Sequence, residues 1–274
     1  MPELPEVETL VRGVREELVG QSFVNVSFFR ADIREPIPVA RLKEILTAQP
    51  VHSVTRRGKY MLIHTSQGAL GVHLGMSGKF VLSEKHEPHV LHTHAIFELG
   101  DGREFRFIDP RRFGRLFSIE TKELDLHPFL AKLGVEPLDL GVNLQKHLFV
   151  DSRSRSQGVK VFLMDSSVVV GVGNIYASES LWRARINPHT SAKQITLKMY
   201  SKLSQKIIEV LSEAINAGGT TLRDYRNKDG NPGYFQTNLA VYGREAKPCL
   251  KCGAKIIKTT QAARSTYQCP VCQK

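Results

Sequence analysis

The chain has 274 residues, of which 41% are hydrophobic and 24% are charged, so it can bury a sizeable core and is not a disordered sequence. Its 38 lysines and arginines outnumber its 27 aspartates and glutamates, and the formal net charge of +11 favours a polyanionic partner such as nucleic acid. A basic ribosomal or membrane-surface protein would share this charge balance. No apolar run approaches ~20 residues and no signal peptide is present, which predicts an intracellular, cytoplasmic protein that does not enter a membrane.

The first residues combine a proline, a carboxylate and the start of a helix. Pro5 fits the first turn of a helix, and the apolar residues behind it recur at helical spacing: Val7, Leu10, Val11, Val14 and Leu18. If Met1 is removed, as the small Pro2 favours, the chain begins with a secondary amine beside the carboxylate of Glu3. An α-amino group has a reference pKa of ~8, so it is partly neutral near pH 7 and can attack an electrophilic carbon to form an iminium. An ordinary proline-capped helix start is the alternative interpretation.

Strand patterns dominate the rest of the first half. The predicted elements are a strand over 21–30, a short helix over 39–48, and strands over 59–64, 69–75, 93–99 and 103–108. Asp101-Gly102, between the last two strands, is a strong hairpin signal. Leu70, Val72 and Leu74 fall on one face of their strand, as a half-buried sheet requires. An antiparallel β-sandwich with the N-terminal helix packed against it is therefore expected.

The pattern becomes helical in the second half. Pro128, Gly134 and Pro137 interrupt the chain and place a hinge there. Helices are predicted over 161–170, 175–184 and 195–217. The expected fold class is α+β. The domain plan is a β-sandwich domain over 1–130, a linker over 131–150, a helical domain over 151–238 and a small cysteine-containing module over 239–274.

All four cysteines lie near the C-terminus, in two pairs that each have the spacing Cys-x2-Cys. They are Cys249, Cys252, Cys269 and Cys272. Sixteen intervening residues allow a hairpin to return the second pair, so that four thiolates complete one tetrahedral Zn2+ site. An iron–sulfur cluster or two disulfides are the alternatives, and an intracellular setting disfavours the disulfides. A four-thiolate zinc site is closed, which predicts a structural rather than a catalytic metal.

Two further stretches suit an anionic ligand. The glycine-rich turn Gly171-Val172-Gly173-Asn174 precedes a predicted helix, and free backbone N–H groups at a helix N-terminus can receive a phosphate. A helical hairpin without a ligand is the alternative. Arg264 lies between the cysteine pairs, where a solvated charge on a basic hairpin is the simpler interpretation.

Several motifs together resemble one family. Pro-Glu-Leu-Pro-Glu at the N-terminus, the Gly-Val-Gly-Asn turn, the wedge-like loops His73-Leu74-Gly75-Met76 and Asp109-Pro110-Arg111-Arg112-Phe113, and the cysteine hairpin resemble bacterial formamidopyrimidine-DNA glycosylase. The motifs occur in the family's order from residue 2 to residue 272. Asp165-Ser166-Ser167 departs from the Asp-Gln or Asp-Asn expected at that place.

The resemblance assigns roles to individual residues. It implies catalytic roles for Pro2, Glu3, Lys59 and Arg264, and DNA contacts by Met76, His92, Arg111, Phe113, Arg155, Lys160 and Asn174. Within the second set, Met76, Arg111 and Phe113 would fill the void left by an extruded base. Asn174 would bind backbone phosphates in a helix–two-turns–helix motif, and the stretch from Gly218 to Phe235 would cover the flipped base.

The implied function is excision of oxidised purines, 8-oxoguanine and formamidopyrimidines, from double-stranded DNA by a monomeric enzyme that also cleaves the strand. One structural Zn2+ is the only cofactor expected. The sister endonuclease VIII-type enzymes for oxidised pyrimidines are the nearest alternative, but they usually carry glycine where this chain has Leu4. A non-catalytic zinc-ribbon DNA-binding protein is the alternative from another class. It explains the charge and the cysteines but not Pro2-Glu3 or the wedge loops.

Overall fold

The computed structural model describes residues 2–120, 126–219 and 239–274. The described residues divide into two compact units. The first unit contains residues 2–120, 126–131 and 217–219, and the second contains 132–216 and 239–274.

The first unit is a sandwich of two antiparallel sheets with two helices. Its helices are α1 (Leu4–Leu18) and α2 (Val39–Leu46), and its strands are β1 (Phe23–Phe28), β2 (Ser53–Arg57), β3 (Tyr60–Thr65), β4 (Gly68–His73), β5 (Lys79–Glu84), β6 (Thr93–Leu99), β7 (Arg103–Ile108) and β8 (Arg115–Ile119). Within the described residues the strand orders are β1-β6-β7-β5 and β2-β3-β4-β8. The predicted hairpin around Asp101-Gly102 is confirmed, because β6 and β7 have the predicted bounds and pair antiparallel.

One apolar stripe attaches α1 to the sandwich. Its members are each at most 1% exposed: Val7, Leu10, Val11, Val14 and Leu18. Burying each such side chain contributes roughly 1.5–3 kcal/mol relative to leaving it in water. Two hydrogen bonds fix the direction of the helix along β2. The Arg15 Nε donates to the Val54 carbonyl at 2.9 Å, and the Arg56 Nε donates to the Glu8 carboxylate at 2.9 Å.

β4 is buried on both faces, which alternation alone did not predict. Leu70, Val72 and Leu74 face the core as expected. The opposite face is also covered, because the Phe117 ring lies against Gly71 so closely that an added Cβ would meet its Cζ at 2.2 Å. Phe117 in turn stacks on the His127 ring at 4.7 Å between centroids.

The second unit is helical with one β-hairpin. It contains α3 (Leu144–Ser152), α4 (Val159–Leu163), α5 (Asn174–Ala184), α6 (Leu197–Asn216), β9 (Ile257–Gln261) and β10 (Arg264–Gln268). The α+β class, with an N-terminal antiparallel sandwich, a helical part and a four-cysteine hairpin, is confirmed. No helix in the described part of the chain is long and apolar enough to span a bilayer.

The predicted helix over 161–170 is wrong beyond Leu163. The Asp165 carboxylate accepts hydrogen bonds from the backbone N–H of Ser167 at 2.9 Å and from its hydroxyl at 2.7 Å, and such a local turn competes with a helix. The chain then pairs with the predicted linker, where Val169 bridges Val135. That linker also contains the start of α3 at Leu144.

Candidate active site and metal centre

The Pro2-Glu3 pair lies at the N-terminus of α1 and is buried. Glu3 is the N-cap residue and only 2% exposed, and its backbone N–H donates to the Glu6 carboxylate at 2.8 Å. The two residues form a capping box, which fixes the backbone around Glu3. Glu6 was not assigned a role from sequence, because the usual capping-box pattern has Ser or Thr at the N-cap position, where this chain has Glu3.

The direction of α1 carries this end of the helix towards Lys59. Arg15 contacts Val54, and Glu8, which is nearer the start of α1, contacts Arg56, which is nearer the end of β2. α1 and β2 therefore run in opposite directions, and the start of α1 lies near the end of β2. β2 ends at Arg57, and Gly58-Lys59 form the two-residue turn that precedes β3. Lys59 was predicted to open a strand, but the left-handed φ of 57° at Gly58 shows a tight turn instead.

His73, at the end of β4, lies beside this turn and was missed in the sequence. Its Nδ1 accepts the backbone N–H of Gly75 at 3.0 Å, so the ring proton is on Nε2. Burial, and then the charges of Lys59 and Arg115, lower the pKa of His73 to about 3. The imidazole is therefore neutral at pH 7 and presents an N–H donor next to the Lys59 ammonium.

Asp109 joins the two wedge-like loops. Its fully buried carboxylate accepts the Ser77 hydroxyl at 2.6 Å and the Gly114 backbone N–H at 2.7 Å. Gly75 approaches Phe113 so closely that a Cβ would meet its carbonyl carbon at 2.4 Å, and Gly75 has a φ of 61°. The loops therefore hold each other in one arrangement.

The three side chains predicted to fill a void lie on these loops and are exposed. Met76 is 39% exposed and Phe113 is 40% exposed, so neither is a core residue. The Arg111 guanidinium lies 4.8 Å from the centre of the Phe113 ring, within the range of a cation–π contact. Arg112 between them has a φ of 56°. His92 is exposed as well, and its carbonyl accepts the Asp109 N–H at 3.1 Å.

In the second unit, Asn174 is the first residue of α5. Its side-chain oxygen accepts the Lys160 ammonium at 2.5 Å, and the same ammonium donates to the Ser265 carbonyl and the Thr266 hydroxyl, both at 2.8 Å. Lys160 is 0% exposed, so it ties α4, α5 and β10 together. Its approach to a lesion stays a prediction.

Arg155 and the unusual Asp165-Ser166-Ser167 stretch are neighbours. The Arg155 guanidinium is 3.9 Å from the Asp165 carboxylate and 42% of its side chain is exposed. The departure from the family pattern therefore lies in a local turn beside one of the predicted phosphate ligands.

Arg264 is exposed at the start of β10, next to the hairpin turn. The turn residues Ala262 and Ala263 have φ values of 45° and 57°, the left-handed values that a two-residue hairpin turn requires. A pocket of about 340 Å³ lies beside Arg264, lined also by Gln157, Met164 and Asp165.

The cysteine sulfurs converge on one point. All four lie within 4.8 Å of one another, and two of the separations are 4.0 Å (Cys249 to Cys272) and 3.4 Å (Cys252 to Cys269). Zn–S bonds of about 2.3 Å in a tetrahedron place sulfurs about 3.8 Å apart, so the site fits one zinc ion. The Sγ of Cys249 and of Cys269 each accept a backbone N–H at 3.4 Å, which orients both as ligands.

The predicted covering loop from Gly218 to Phe235 lies almost entirely outside the described residues. Only Gly218 and Gly219 are described, and a Cβ on Gly219 would meet the Glu6 side chain at 3.2 Å. Gly219, which belongs to the first unit, therefore lies beside the capping box of α1.

His73 gives the first unit a testable pH dependence. An unfolded histidine binds a proton below about pH 6.5, whereas folded His73 stays neutral down to about pH 3. The unfolded state therefore binds more protons in this window, and stability is lost as the pH falls through it. His73→Asn keeps an acceptor for the Gly75 N–H. It should reduce the slope of the unfolding free energy against pH by up to about 1.4 kcal/mol per pH unit. Urea unfolding between pH 4.5 and 7 measures it. The exposed His52→Asn is the control, and an unchanged slope in His73→Asn would contradict the assignment.

The chain matches known proteins over its full length. Residues 1–116 match the N-terminal domain of formamidopyrimidine-DNA glycosylase, 133–226 match its H2TH domain, and 246–274 match a zinc finger found in FPG and IleRS. The formamidopyrimidine-DNA glycosylases of Magnetococcus marinus and Legionella pneumophila are 47% and 44% identical, covering 100% of this chain and 100% and 98% of theirs.

Solved structures of similar proteins have the same fold as this chain. The MutM (Fpg) protein of Thermus thermophilus has a TM-score of 0.89 at 40% identity, covering 99% of this chain and 98% of that one. The Lactococcus lactis Fpg bound to DNA with an abasic site has a TM-score of 0.91 at 32% identity, covering 99% of both chains. The sequence, the fold and the cysteine cluster thus agree, and the chain belongs to the formamidopyrimidine-DNA glycosylase family.

Proposed function

We propose that this chain is a DNA glycosylase and apurinic-site lyase that removes 8-oxoguanine and formamidopyrimidines from double-stranded DNA in base excision repair. The observation that carries the proposal is the Pro2-Glu3 pair, buried at the capped start of α1 in a chain that matches this family from end to end. The Lactococcus lactis relative was solved with Fapy-dG DNA and with abasic DNA, which supports damaged DNA as the partner. We also infer a monomer in the bacterial cytoplasm, associated with the nucleoid through DNA.

The first chemical step uses Pro2 and Glu3. With Met1 removed, the Pro2 nitrogen has a lone pair that forms a bond to C1′ of the damaged nucleoside, while the bond from C1′ to the base breaks and its electrons leave with the base. The Pro2 nitrogen then loses its proton, which neutralises the departed base. Glu3 protonates the sugar ring oxygen, the bond from C1′ to that oxygen breaks, and the lone pair of the Pro2 nitrogen forms the iminium with C1′. The capping box keeps the Glu3 backbone fixed during this step.

The second step cleaves the strand. The iminium acidifies the C2′ proton, and loss of that proton expels the 3′ phosphate. A second elimination expels the 5′ phosphate and leaves a one-nucleotide gap. Lys59 and Arg264 are the proposed assisting cations, and neither step requires a redox cofactor. The four cysteines would hold a zinc ion, which would be structural.

The remaining residues would hold and distort the duplex. Met76, Arg111 and Phe113 are the proposed wedge, because an enzyme that acts on a stacked base must extrude it and fill the gap. Asn174 at the start of α5, with Lys160, Arg155 and His92, would contact DNA. Their DNA contacts stay predictions, as do the domain boundaries at 130, 150 and 238.

Catalysis should depend on the free amine of Pro2. While Met1 remains, the Pro2 nitrogen is an amide whose lone pair is delocalised, so it cannot act as a nucleophile. Protein from which Met1 has been removed should form a DNA adduct on Pro2 when it is incubated with 8-oxoguanine duplex and borohydride. Mass spectrometry locates the adduct. Glu3→Gln should mainly slow base removal, because the proton donor is lost and the amine is kept.

Incubation with an 8-oxoguanine duplex and, in parallel, with an oxidised-pyrimidine duplex separates the alternatives. Nicking only of oxidised pyrimidines would indicate an endonuclease VIII-type enzyme, and retention without nicking would indicate a non-catalytic zinc-ribbon protein. An adduct on the neighbouring Lys59, or normal excision by protein verified to retain Met1, would overturn the Pro2 mechanism.

The wedge should matter for extrusion and not for elimination. Met76→Ala or Phe113→Ala should slow excision from an 8-oxoguanine duplex, where unstacking costs a few kcal/mol, yet largely spare cleavage at a preformed abasic site. Single-turnover rates on the two substrates measure the difference. Val24→Ala, at an apolar residue on β1 that is 55% exposed, is the control. Equal losses on both substrates would mean that the wedge residues are only structural.

Zinc removal should weaken DNA binding before it unfolds the sandwich. The cysteine cluster belongs to the second unit and makes no contribution to the core of the first. Chelation, metal analysis and a DNA titration, followed by thermal unfolding, test this. Undiminished binding by protein verified to be metal-free would contradict it.

A further inference from the structure

A second concave surface lies at the end of α5 opposite to Asn174. This pocket has a volume of about 380 Å³ and is lined by Trp182, Arg183, Arg185, Lys206, Glu209, Ala240, Leu250 and Lys251. At 1.5 Å per residue, Arg185 lies about 16 Å along the helix axis from Asn174. The pocket is therefore distinct from the turn proposed to bind phosphates, and the proposed function does not use it.

The pocket carries an excess of positive charge. Arg183 pairs with Glu213 and Lys206 pairs with Glu209, at 2.7 and 2.6 Å. Arg185 and Lys251, together with Lys202 beside the pocket, make no ion pair within the described ranges 2–120, 126–219 and 239–274.

The unpaired cations are close enough to act on one another. Burial, and then the charges of Arg185, Lys251 and Lys206, lower the pKa of Lys202. Like charges gathered from α5, α6 and the cysteine module repel one another, so they do not stabilise the fold. An anionic partner would relieve this repulsion.

The wall of the pocket is apolar. Trp182 is half-buried against the small core around Cys249 and Cys269, and Leu250 is 64% exposed. Leu250 and Lys251 lie between two metal ligands, Cys249 and Cys252, in a turn where the Lys251 N–H donates to the Cys249 sulfur at 3.4 Å. The rim is thus built on a rigid element. The volume of the pocket, about 380 Å³, is within the range of ligand pockets, about 300–1,000 Å³.

We propose that this pocket docks an acidic peptide segment of a partner protein that carries an apolar side chain. The carboxylates would contact Arg185, Lys202 and Lys251, and the apolar side chain would lie against Trp182 and Leu250. A DNA duplex fits less well, because its phosphate backbone would leave the apolar wall formed by Trp182 and Leu250 exposed.

Trp182 is the one tryptophan of the sequence, so its fluorescence reports on the pocket directly. Full-length, zinc-loaded protein should be titrated with a synthetic peptide of four aspartates flanking one leucine, at about 0.15 M salt. We expect saturable quenching or enhancement. Charge reversal by Arg185→Glu or Lys251→Glu should weaken binding at least about tenfold, since close opposite charges across an interface become like charges.

Matched controls define the interaction. Lys146→Glu changes the same charge at an exposed position on α3, which contributes no lining residue to the pocket, and should leave peptide affinity within about twofold. A peptide with serine in place of leucine should bind more weakly, and one with asparagine in place of the aspartates should not bind. Circular dichroism confirms that each variant is folded, and excision of 8-oxoguanine by Lys251→Glu should match the unmodified protein.

Three results would overturn the proposal. The first is no fluorescence change or polarisation change up to millimolar peptide. The second is equal affinity for the leucine and serine peptides, which would indicate charge attraction alone. The third is displacement of the peptide by a short undamaged duplex with loss of duplex binding in Lys251→Glu, which would make the pocket part of the DNA surface.

Discussion

The burial of one apolar helix stripe is the constraint on which the candidate chemistry depends. A terminal amine is flexible in most proteins, because the first residues of a chain are rarely tied down. Here five fully buried side chains of α1 begin only five residues after Pro2, and the Arg56–Glu8 pair fixes the rotation of the helix. Burial raises the pKa of Glu8, but its hydrogen bonds with Arg56 and Arg12 lower it overall, so the pair stays charged. The proposed nucleophile, Pro2, is thereby placed by core packing rather than by its own contacts.

Buried polar groups organise the remainder of both units. Asp109 fixes two loops in the first unit. In the second, Glu179 accepts the backbone N–H groups of Ala240, Val241 and Tyr242 at 2.8–3.0 Å, and Lys160 joins three elements. Burial raises the pKa of Glu179 despite these three donors. Such groups are costly unless satisfied, so each is satisfied in one arrangement of the chain, and the loops and the cysteine hairpin are held accordingly.

Features that depend only on residues close together in the sequence were predicted correctly. The stripe of α1, the β6–β7 hairpin and the cysteine pairs depend on spacing along the chain, and each was found where predicted. The helix over 161–170 failed because the Asp165 turn and the pairing of Val169 with Val135 override an apolar run. The low pKa of His73 is caused first by burial and then by the charges of Lys59 and Arg115, which the folded sheet brings near it, so no sequence window contains the cause. The resemblance supplied the roles of Lys59 and Met76, which composition and spacing do not distinguish from surface residues.

Met76 and Phe113 leave apolar surface exposed on two rigid loops. Full burial of such a side chain would stabilise the fold by roughly 1.5–3 kcal/mol, and this stabilisation is absent while the side chain is in water. The loops could lower this cost by collapsing onto the sandwich, but Gly75 against Phe113 and the Asp109 hydrogen bonds prevent it. The apolar surface is therefore kept available, and its burial in a vacated base stack would offset part of the cost of unstacking. We infer that the rigidity of these loops is what would let the two exposed residues act as the proposed wedge.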